Sequence, residues 1–426
     1  MTDQATKRNI ILNAFGESFW GVTLQFIASA TVLTVLLKQF DATAMEVSLV
    51  FAIEFGLARL PQIVGGFVFT SMANRKWRLL AWYAFVSVPF IFLMGTVALF
   101  ADQLTPVQVR MGLLLSFAGF WCTIGVTMAA WQDWIGHLFD ISVRGRAVGI
   151  GTGIHAIFGM AAALIAGWMI NNLSSPQVFA YLFYAAGTTS VVGLVPWLLV
   201  HDSAAGRHDA FPKQNVADFI ACVRQTLANR SVLTLMVGVM LLEYGLSFAP
   251  FIAVYFRSPY GGSLSAGTIV SCGVAWQIGL ALASPVAGMM GDRYGHRLNL
   301  IIASLVLAGA PLVLLSVQGL AGCVGTYWLI GLASGFVYLG MWNLNLESCP
   351  HDNRLAHVTS FNIAAALGLL PIPYLAGRIV DDLGIQWLFV VTAMCSGLAG
   401  LWLISVFRDP RSRRVEVEPM EERSNG

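Results

Sequence analysis

Long apolar runs separated by short polar stretches dominate the chain from Ile10 to about residue 407. A segment of about 20 mostly apolar residues is long enough to cross the hydrocarbon core of a bilayer. Because backbone polar groups cannot remain unpaired in lipid, such segments must be helices. The pattern predicts twelve transmembrane helices, which we number 1 to 12, with centres near residues 24, 58, 90, 121, 158, 189, 244, 276, 308, 335, 367 and 395.

The composition agrees with an integral membrane protein, since 57% of the 426 residues are hydrophobic and 11% are charged. Soluble domains carry roughly 25% charged residues. The first span, from Ile10 to Leu37, is too long for a cleavable signal and is expected to stay in the membrane. The six cysteines show no paired spacing, so neither a disulfide framework nor a metal site is predicted.

The positions of lysine and arginine predict that both termini are cytoplasmic. In that orientation 19 of the 24 basic residues lie on the cytoplasmic side, and Arg59 lies inside the membrane. The other four lie towards the outside: Lys38, Arg110, Arg257 and Arg378. We therefore expect a multi-pass protein of the bacterial inner membrane that works as a monomer in the lipid bilayer and binds no nucleic acid.

The longest polar interruption divides the twelve spans into two sets of six. The expected parts are a six-helix bundle, a cytoplasmic linker, a second six-helix bundle and a disordered cytoplasmic tail: 1–200, 201–230, 231–407 and 408–426. Within the linker, apolar residues from Val216 to Leu227 recur at helical spacing. This spacing predicts an amphipathic helix that lies along the cytoplasmic face and tethers the two bundles.

A charged, glycine-rich decapeptide, Gly288 to Arg297, joins helix 8 to helix 9 by a very short turn. Asp292 and Arg293 can pair across this turn. The sequence resembles the signature loop of the major facilitator superfamily, which follows helix 2 and recurs after helix 8. The resemblance covers all twelve spans, and it implies an all-α membrane fold of two pseudo-symmetric six-helix bundles. A substrate site is expected between the bundles, near the midplane.

The two halves align without gaps in a register that places the signature loop on 70–79. In this alignment Asn74 replaces Asp292 and the loop arginine is kept, so the first-half loop is expected to make the weaker contact. The resemblance implies that loop carboxylates and arginines latch the two halves together on the cytoplasmic side. The expected latch residues are Gly288, Asp292, Arg293, Arg297, Asn74, Arg75, Arg78, Asp133, Arg144, Glu347 and Arg354.

Ionisable residues inside the hydrocarbon are costly, so each is a candidate for function. Apolar surroundings favour the protonated form of a carboxyl group, and histidine exchanges protons near neutral pH. The expected proton-coupling residues are Glu17, Glu243, Glu54 and His155. Similar depths suggest that Glu17 pairs with Arg59, either as a structural pair or with Arg59 binding an anionic substrate. Helix 7 offers Glu243 no obvious cationic neighbour, and His155 could equally be a packing histidine.

Polar and aromatic residues near the ends of helices 4 and 10 occupy nearly corresponding places in the two halves. Buried amides need hydrogen-bonding partners, which a cavity wall or a substrate would supply. The expected substrate-binding residues are Arg59, Gln132, Tyr244, Trp342, Asn343 and Asn345. Rows of small residues on helices 5 and 8 predict close packing at moving interfaces: Gly149, Gly153, Gly159, Ala163 and Gly167, and Gly279, Ala283 and Ala287.

The sequence contains no nucleotide-binding loop, zinc motif or nucleophile elbow, so neither an enzyme nor a cofactor is expected. The expected function is transport of a small organic solute by alternating access, coupled to protons by symport or antiport. Multidrug or metabolite efflux is the alternative within the same fold, although helices 1, 4 and 5 lack residues typical of proton-coupled drug exporters. The altered first-half loop favours a further alternative, a non-transporting assembly factor or receptor.

Overall fold

The computed structural model of the protein describes residues 4–69, 74–139, 141–202, 216–348 and 354–408. The described chain is built from helices, and twelve of its segments are long and apolar enough to span a membrane. Every predicted centre falls inside one of these segments, which confirms the all-α fold with twelve transmembrane helices. Six helices are continuous, namely helix 4 Pro106–Leu138, helix 5 Ile141–Asn172, helix 6 Gln177–Leu199, helix 9 His296–Ser316, helix 10 Gly319–Ser348 and helix 12 Ile385–Ser405.

The other six helices are built from two or three successive segments. They are helix 1 (Gln4–Phe26, Ser29–Leu33, Thr34–Gln39), helix 2 (Ala44–Leu57, Gln62–Val68), helix 3 (Arg75–Trp82, Tyr83–Ser87, Val88–Leu99), helix 7 (Arg230–Leu246, Ala249–Arg257), helix 8 (Ala266–Ser271, Gly273–Tyr294) and helix 11 (Arg354–Leu369, Ile372–Leu383). Helices 1 and 7 are interrupted at nearly corresponding places in the two halves, 27–28 and 247–248. Interrupted helices expose backbone groups inside the membrane, where a binding site can use them.

The linker contains a helix, Val216–Ala228, at the place where the apolar spacing predicts one. This linker helix packs against the first segment of helix 11 and the start of helix 7, so it lies on the second bundle. The rest of the linker, 203–215, and the tail, 409–426, lie outside the described residues. The disordered tail stays a prediction.

The two bundles meet along an interface that we call the seam. The seam is tightest at the membrane face opposite the signature loop, which we call the opposite face. There, a Cβ atom added to Gly167 of helix 5 would lie 2.4 Å from the carbonyl oxygen of Gly267 in helix 8. Asn171 accepts hydrogen bonds from the Gly267 amide (3.2 Å) and the Ser265 hydroxyl (2.9 Å). Only glycine allows this backbone-to-backbone approach, so the two bundles close the opposite face here.

The same two helices separate towards the signature loop. Added Cβ atoms show the trend: at Gly159 the nearest neighbour, Gln277 of helix 8, is at 3.3 Å, but at Gly153 nothing lies within 4 Å. Gly153 lies within about 40° of Gly167 on the surface of helix 5, so it continues the seam-facing side of that helix. Gly288, about 20° from Gln277 on helix 8, also has nothing within 4 Å of an added Cβ. The space between the bundles therefore opens towards the signature-loop face along helices 5 and 8.

One expectation about the small-residue rows is wrong. The row Gly279, Ala283 and Ala287 was expected at a moving interface between halves. Instead, a Cβ atom at Gly279 would lie 2.4 Å from the carbonyl oxygen of Trp328, and one at Gly335 would lie 2.7 Å from the Ala283 side chain. Trp328 and Gly335 belong to helix 10, so this row packs inside the second bundle. Spacing indicates that a helix face packs closely, but not which neighbour it meets.

The structure also corrects the register of the repeat. Asn74 and Gly295 both have positive φ (58° and 89°) and directly precede helices 3 and 9. Lys76 then donates to backbone carbonyls at the end of helix 6. In the second half, Arg297 donates to backbone carbonyls at the end of helix 12. Lys76 is thus the structural counterpart of Arg297. The ungapped sequence alignment paired arginines that do not occupy equivalent positions in the two turns.

Asn74 therefore occupies the place of Gly295 rather than that of Asp292. This predicts that Asn74→Ala lowers the free energy of unfolding by about 1 kcal/mol, because alanine is strained at positive φ, whereas Asn74→Gly is tolerated. Asn172→Ala, in the regular backbone of helix 5, serves as the control and should have little effect. Thermal unfolding of the purified variants tests this. Equal stability of Asn74→Ala and Asn74→Gly would contradict it.

Candidate functional site

A buried ion pair crosses the seam near the middle of the membrane. Arg59 lies in the turn between the two segments of helix 2, and its guanidinium donates to the carboxylate of Glu243 on helix 7. Their side chains are only 13% and 5% exposed. Glu243 stands one turn before the interruption of helix 7 at 247–248. The pair thus joins the interrupted parts of two helices from different bundles.

The expected pairing of Glu17 with Arg59 is therefore wrong. Depth along a helix places two residues at one level of the membrane, but it does not show which way each side chain points. The interruption after Leu57 changes the direction of the backbone at Arg59, and the partner comes from the other half of the chain. Glu243 accordingly has the cationic neighbour that helix 7 itself could not supply.

Further polar contacts accompany the ion pair along the seam. The Asn362 amide donates to Gln62 (3.1 Å), the Gln277 amide donates to Gln25 (3.3 Å), and the Tyr327 hydroxyl donates to the carbonyl of Ala30 (2.9 Å). Each bond joins one bundle to the other. Polar groups at an interface within the membrane need such partners because lipid offers none. One oxygen of Glu243, Oε2, is buried and has no hydrogen-bond partner among the described residues, so the carboxylate has a site for a proton.

A second acidic group lies in the open space. The Oε2 atom of Glu17 on helix 1 is 3.4 Å from Nδ1 of His155 on helix 5. Glycines bring these helices together, since a Cβ at Gly21 would lie 2.2 Å from the carbonyl oxygen of His155 and one at Gly151 would lie 3.1 Å from the Glu17 side chain. The Glu17 side chain is 27% exposed, against 5% for Glu243. In this state Glu17 is the more accessible carboxylate.

Aromatic side chains of helices 1, 3 and 4 pack together one turn along helix 1 from Glu17. Trp20 of helix 1 packs edge-on against Tyr83 of helix 3, with ring centroids 6.2 Å apart. Tyr83 in turn packs against Trp131 of helix 4 at 5.4 Å. Tyr83 and Tyr338 both lie within electrostatic range of Glu17. Tyr338 belongs to helix 10, so groups of both bundles lie within electrostatic range of Glu17.

Sequence reasoning missed these aromatic residues for a physical reason. Tryptophan and tyrosine face lipid, protein or a cavity with equal ease, so their type carries no signal of a site. Tyr83 begins a π-helical segment of helix 3, a local irregularity that often marks functional positions. That irregularity is visible only in the structure.

The remaining predicted proton-coupling residue, Glu54, lies apart from both the Arg59–Glu243 pair and the Glu17–His155 pair. The Glu54 side chain lies near Ser29 of helix 1, and its Oε2 atom is buried without a hydrogen-bond partner in the described chain. Ser29 begins the segment that follows the interruption of helix 1. Glu54 therefore lies beside the first interrupted helix, and Glu243 lies beside the second.

Two of the predicted substrate-binding residues hydrogen-bond to backbone carbonyls. The Tyr244 hydroxyl donates to the carbonyl of Gly368 in helix 11, and the Asn343 amide donates to the carbonyl of Leu339 in its own helix. Backbone carbonyls thus accept hydrogen bonds from two of these side chains, and their part in substrate binding stays a prediction. Asn345 is buried and Gln132 is half-buried, while the side chain of Trp342 lies outside the described residues.

The predicted latch residues make local contacts in this state. Arg75 and Arg78 donate to the carbonyls of Phe69 and Val68 at the end of helix 2. Arg293 stacks over Tyr294, and Glu347 lies 3.9 Å from His296. The side chains of Asp133, Arg144 and Arg354 lie outside the described residues. A latch between the bundles stays a prediction for the state in which the signature-loop face closes.

In the described ranges, no three His, Cys, Asp or Glu side chains are grouped closely enough to hold a metal ion. Two carboxylates lie in different environments. Glu243 is buried in the seam and paired with arginine, and Glu17 faces the open space beside histidine and aromatic rings. Proton exchange at these carboxylates stays a prediction.

Comparison with known proteins identifies relatives of the chain. The inner membrane metabolite transport protein YhjE of Escherichia coli K12 is 24% identical over 63% of this chain and 62% of its own length. The multi-drug resistance efflux pump PmrA of Streptococcus pneumoniae is 26% identical over 31% of this chain and 33% of its own length. The matched stretches thus span less than two thirds of either relative.

The fold is shared with solved transporter structures. The partially occluded inward-open conformation of the xylose transporter XylE from E. coli superposes with a TM-score of 0.64 at 11% identity, covering 95% of this chain and all of that one. The family model described as Major Facilitator Superfamily matches residues 235–425. With twelve membrane-spanning helices and the signature loop in place, these matches support a transporter of the major facilitator superfamily.

Proposed function

We propose that the protein is a secondary transporter that moves a small organic solute across the bacterial inner membrane by alternating access, with the proton as coupling ion. The observation that carries this proposal is the wedge-shaped gap between helices 5 and 8. Gly167 and Gly267 touch at the opposite face, while Gly153 and Gly288 face open space. Rocking of the two rigid bundles about the seam would close this gap and open the other side.

The proposed orientation places both termini and the signature loop in the cytoplasm, so the described state is inward-facing. The distribution of lysine and arginine supports this orientation. The relative YhjE is an inner membrane protein of E. coli, which supports the location.

Glu243 is the proposed coupling residue. Its ion pair with Arg59 spans the seam, so opening the opposite face must separate the two charges. Separated charges are costly in a medium of low dielectric. A proton on Glu243 removes the attraction, and it therefore favours the state in which the seam is open. Protonation of Glu243 and its ion pair with Arg59 exclude each other, and the ion pair forms only when the seam is closed. A proton gradient can therefore drive the conformational cycle.

The proposal is tested with purified protein in proteoliposomes under an imposed pH gradient, with a panel of sugars, organic acids and amines. Wild-type protein is expected to couple solute flux to proton movement. Glu243→Gln should abolish proton-driven accumulation but spare solute exchange, because the amide cannot take up a proton. Glu46→Gln is the matched control, since Glu46 pairs with Arg110 inside the first bundle, 3.0 Å away, and it should transport like wild type.

Accumulation that persists in Glu243→Gln would remove Glu243 as the coupling site. If wild-type protein shows neither flux nor proton movement with any solute, the transporter proposal fails in favour of a receptor or assembly factor. Multidrug efflux is the second candidate, because PmrA is an efflux pump and aromatic rings border the open space. Several unrelated hydrophobic solutes leaving the cytoplasmic side would support it.

A further inference from the structure

We propose that the open space binds an organic cation, an amphipathic solute with an amine or quaternary ammonium group, and that Glu17 is its counter-charge. This inference rests on the proposed transport function and names the substrate class. Glu17 faces the space with 27% of its side chain exposed. It stands at the level where helices 5 and 8 have separated, since it contacts Gly151 between the two glycines that face open space, Gly149 and Gly153.

Among the described residues, the charge balance of the membrane interior disfavours an anionic substrate. Arg59, the arginine nearest the middle of the membrane, is already paired with Glu243 inside the seam. Lys76 and Arg297 bind backbone carbonyls at the ends of helices 6 and 12. An organic acid entering the space would thus have to displace a buried carboxylate from its partner, which is costly.

The negative charge of Glu17, in contrast, is not neutralised by an arginine or lysine among its described contacts. Its described ion-pair partner is His155, at 3.4 Å, and a neutral imidazole can hydrogen-bond a carboxylate without cancelling its charge. A charge held in apolar surroundings is stabilised by an opposite charge brought close to it. Either a proton or a cationic solute would meet this need, so both compete for the same carboxylate.

The neighbouring rings add the second element of a cation site. Trp20, one turn along helix 1 from Glu17, packs edge-on against Tyr83. Tyr83 and Tyr338, the latter from the other bundle, lie within electrostatic range of Glu17. The faces of tryptophan and tyrosine attract ammonium groups, more strongly where water is excluded. A neutral sugar could stack on the same rings, but it would leave the charge of Glu17 uncompensated. A cation at Glu17 would also contact both bundles, so its binding would favour one position of the bundles over another.

The experiment measures binding to the purified full chain in neutral detergent. Three probes share one ring and differ in charge, namely benzyltrimethylammonium, benzyl alcohol and benzenesulfonate. The cation is expected to bind at least about tenfold more tightly than the other two, because a charge-assisted contact typically contributes this much. Glu17→Gln should weaken cation binding by about tenfold or more and leave benzyl alcohol unchanged. Glu17→Asp keeps the charge and should retain most of the affinity, and Glu46→Gln is the matched control.

Equal affinity for the cation and benzyl alcohol in wild-type protein would overturn the proposal, and so would unchanged cation binding in folded Glu17→Gln. The wild-type comparison decides the matter even if Glu17→Gln fails to fold. The binding assay needs no proton gradient, so its failure is separable from failure of transport. Proton-driven flux of a neutral solute without cation binding refutes the substrate class alone, whereas absence of all flux refutes the transporter itself.

Discussion

Replacing Gly167 with alanine is expected to force the seam open at the opposite face and to reduce transport by at least about tenfold. The new Cβ atom would lie 2.0 Å from the Ser271 hydroxyl and 2.4 Å from the backbone carbonyl of Gly267. A side chain can rotate away, but the carbonyl belongs to a helix backbone that must move as a whole. Clashes at this distance cost several kcal/mol in a packed core. The population should therefore shift away from the state in which the opposite face is closed.

Gly153→Ala is the matched control for this prediction. It makes the same substitution on nearly the same side of helix 5, where nothing lies within 4 Å of the new Cβ. Spin labels at Ser174 and Ser263, in a background without native cysteines, would report the separation of the bundles at the opposite face. The distance should lengthen in Gly167→Ala and stay at the wild-type value in Gly153→Ala. Wild-type distances and transport in both variants would show that the glycine contact does not hold the seam.

Removing one partner of the ion pair is expected to have the second large effect. Glu243→Leu leaves Arg59 charged and buried without its carboxylate, which should lower the free energy of unfolding by about 3–5 kcal/mol. The double variant Arg59→Met/Glu243→Leu removes both charges and should recover most of that loss, since a buried pair is often replaceable by apolar side chains. The measurement is a double-mutant cycle of unfolding in detergent.

The control cycle uses Glu46 and Arg110, which pair 3.0 Å apart near the opposite face. Water reaches that region more easily, so removing one of these partners should cost about 1 kcal/mol. If the losses of Arg59→Met and Glu243→Leu simply add in the double variant, the two residues are not energetically coupled. Such a result would also remove the physical basis for coupling through Glu243.

Much of the fold could be predicted because the bilayer restricts it strongly. An apolar run of membrane-spanning length must form a helix to pair its backbone groups in lipid, and every predicted span is present. The decapeptide from Gly288 to Arg297 identified the family because a turn this short between two helices tolerates few residue combinations. These features are local, and local sequence was sufficient to find them.

The site was less predictable because its parts come from distant points of the chain. Glu17, Glu243 and Arg59 stood out as costly charges in the membrane. Their partners, however, depend on helix interruptions and on the contact between bundles: Arg59 meets a residue 184 positions away. The sequence did not indicate that Trp20, Tyr83 and Trp131 belong to the site, because a ring that faces a cavity has the same sequence pattern as one that faces lipid.

The sequence by itself thus determined the number of helices, the division into two halves and the presence of buried charges, since each follows from the cost of polar groups in lipid. Only the tertiary structure decided which charges pair, which face of the seam is closed and how the two loops correspond. The alignment paired residues of the same type, whereas the structurally equivalent pairs are Asn74 with Gly295 and Lys76 with Arg297. Such relations are set by backbone direction and packing between helices, and these depend on the whole bundle.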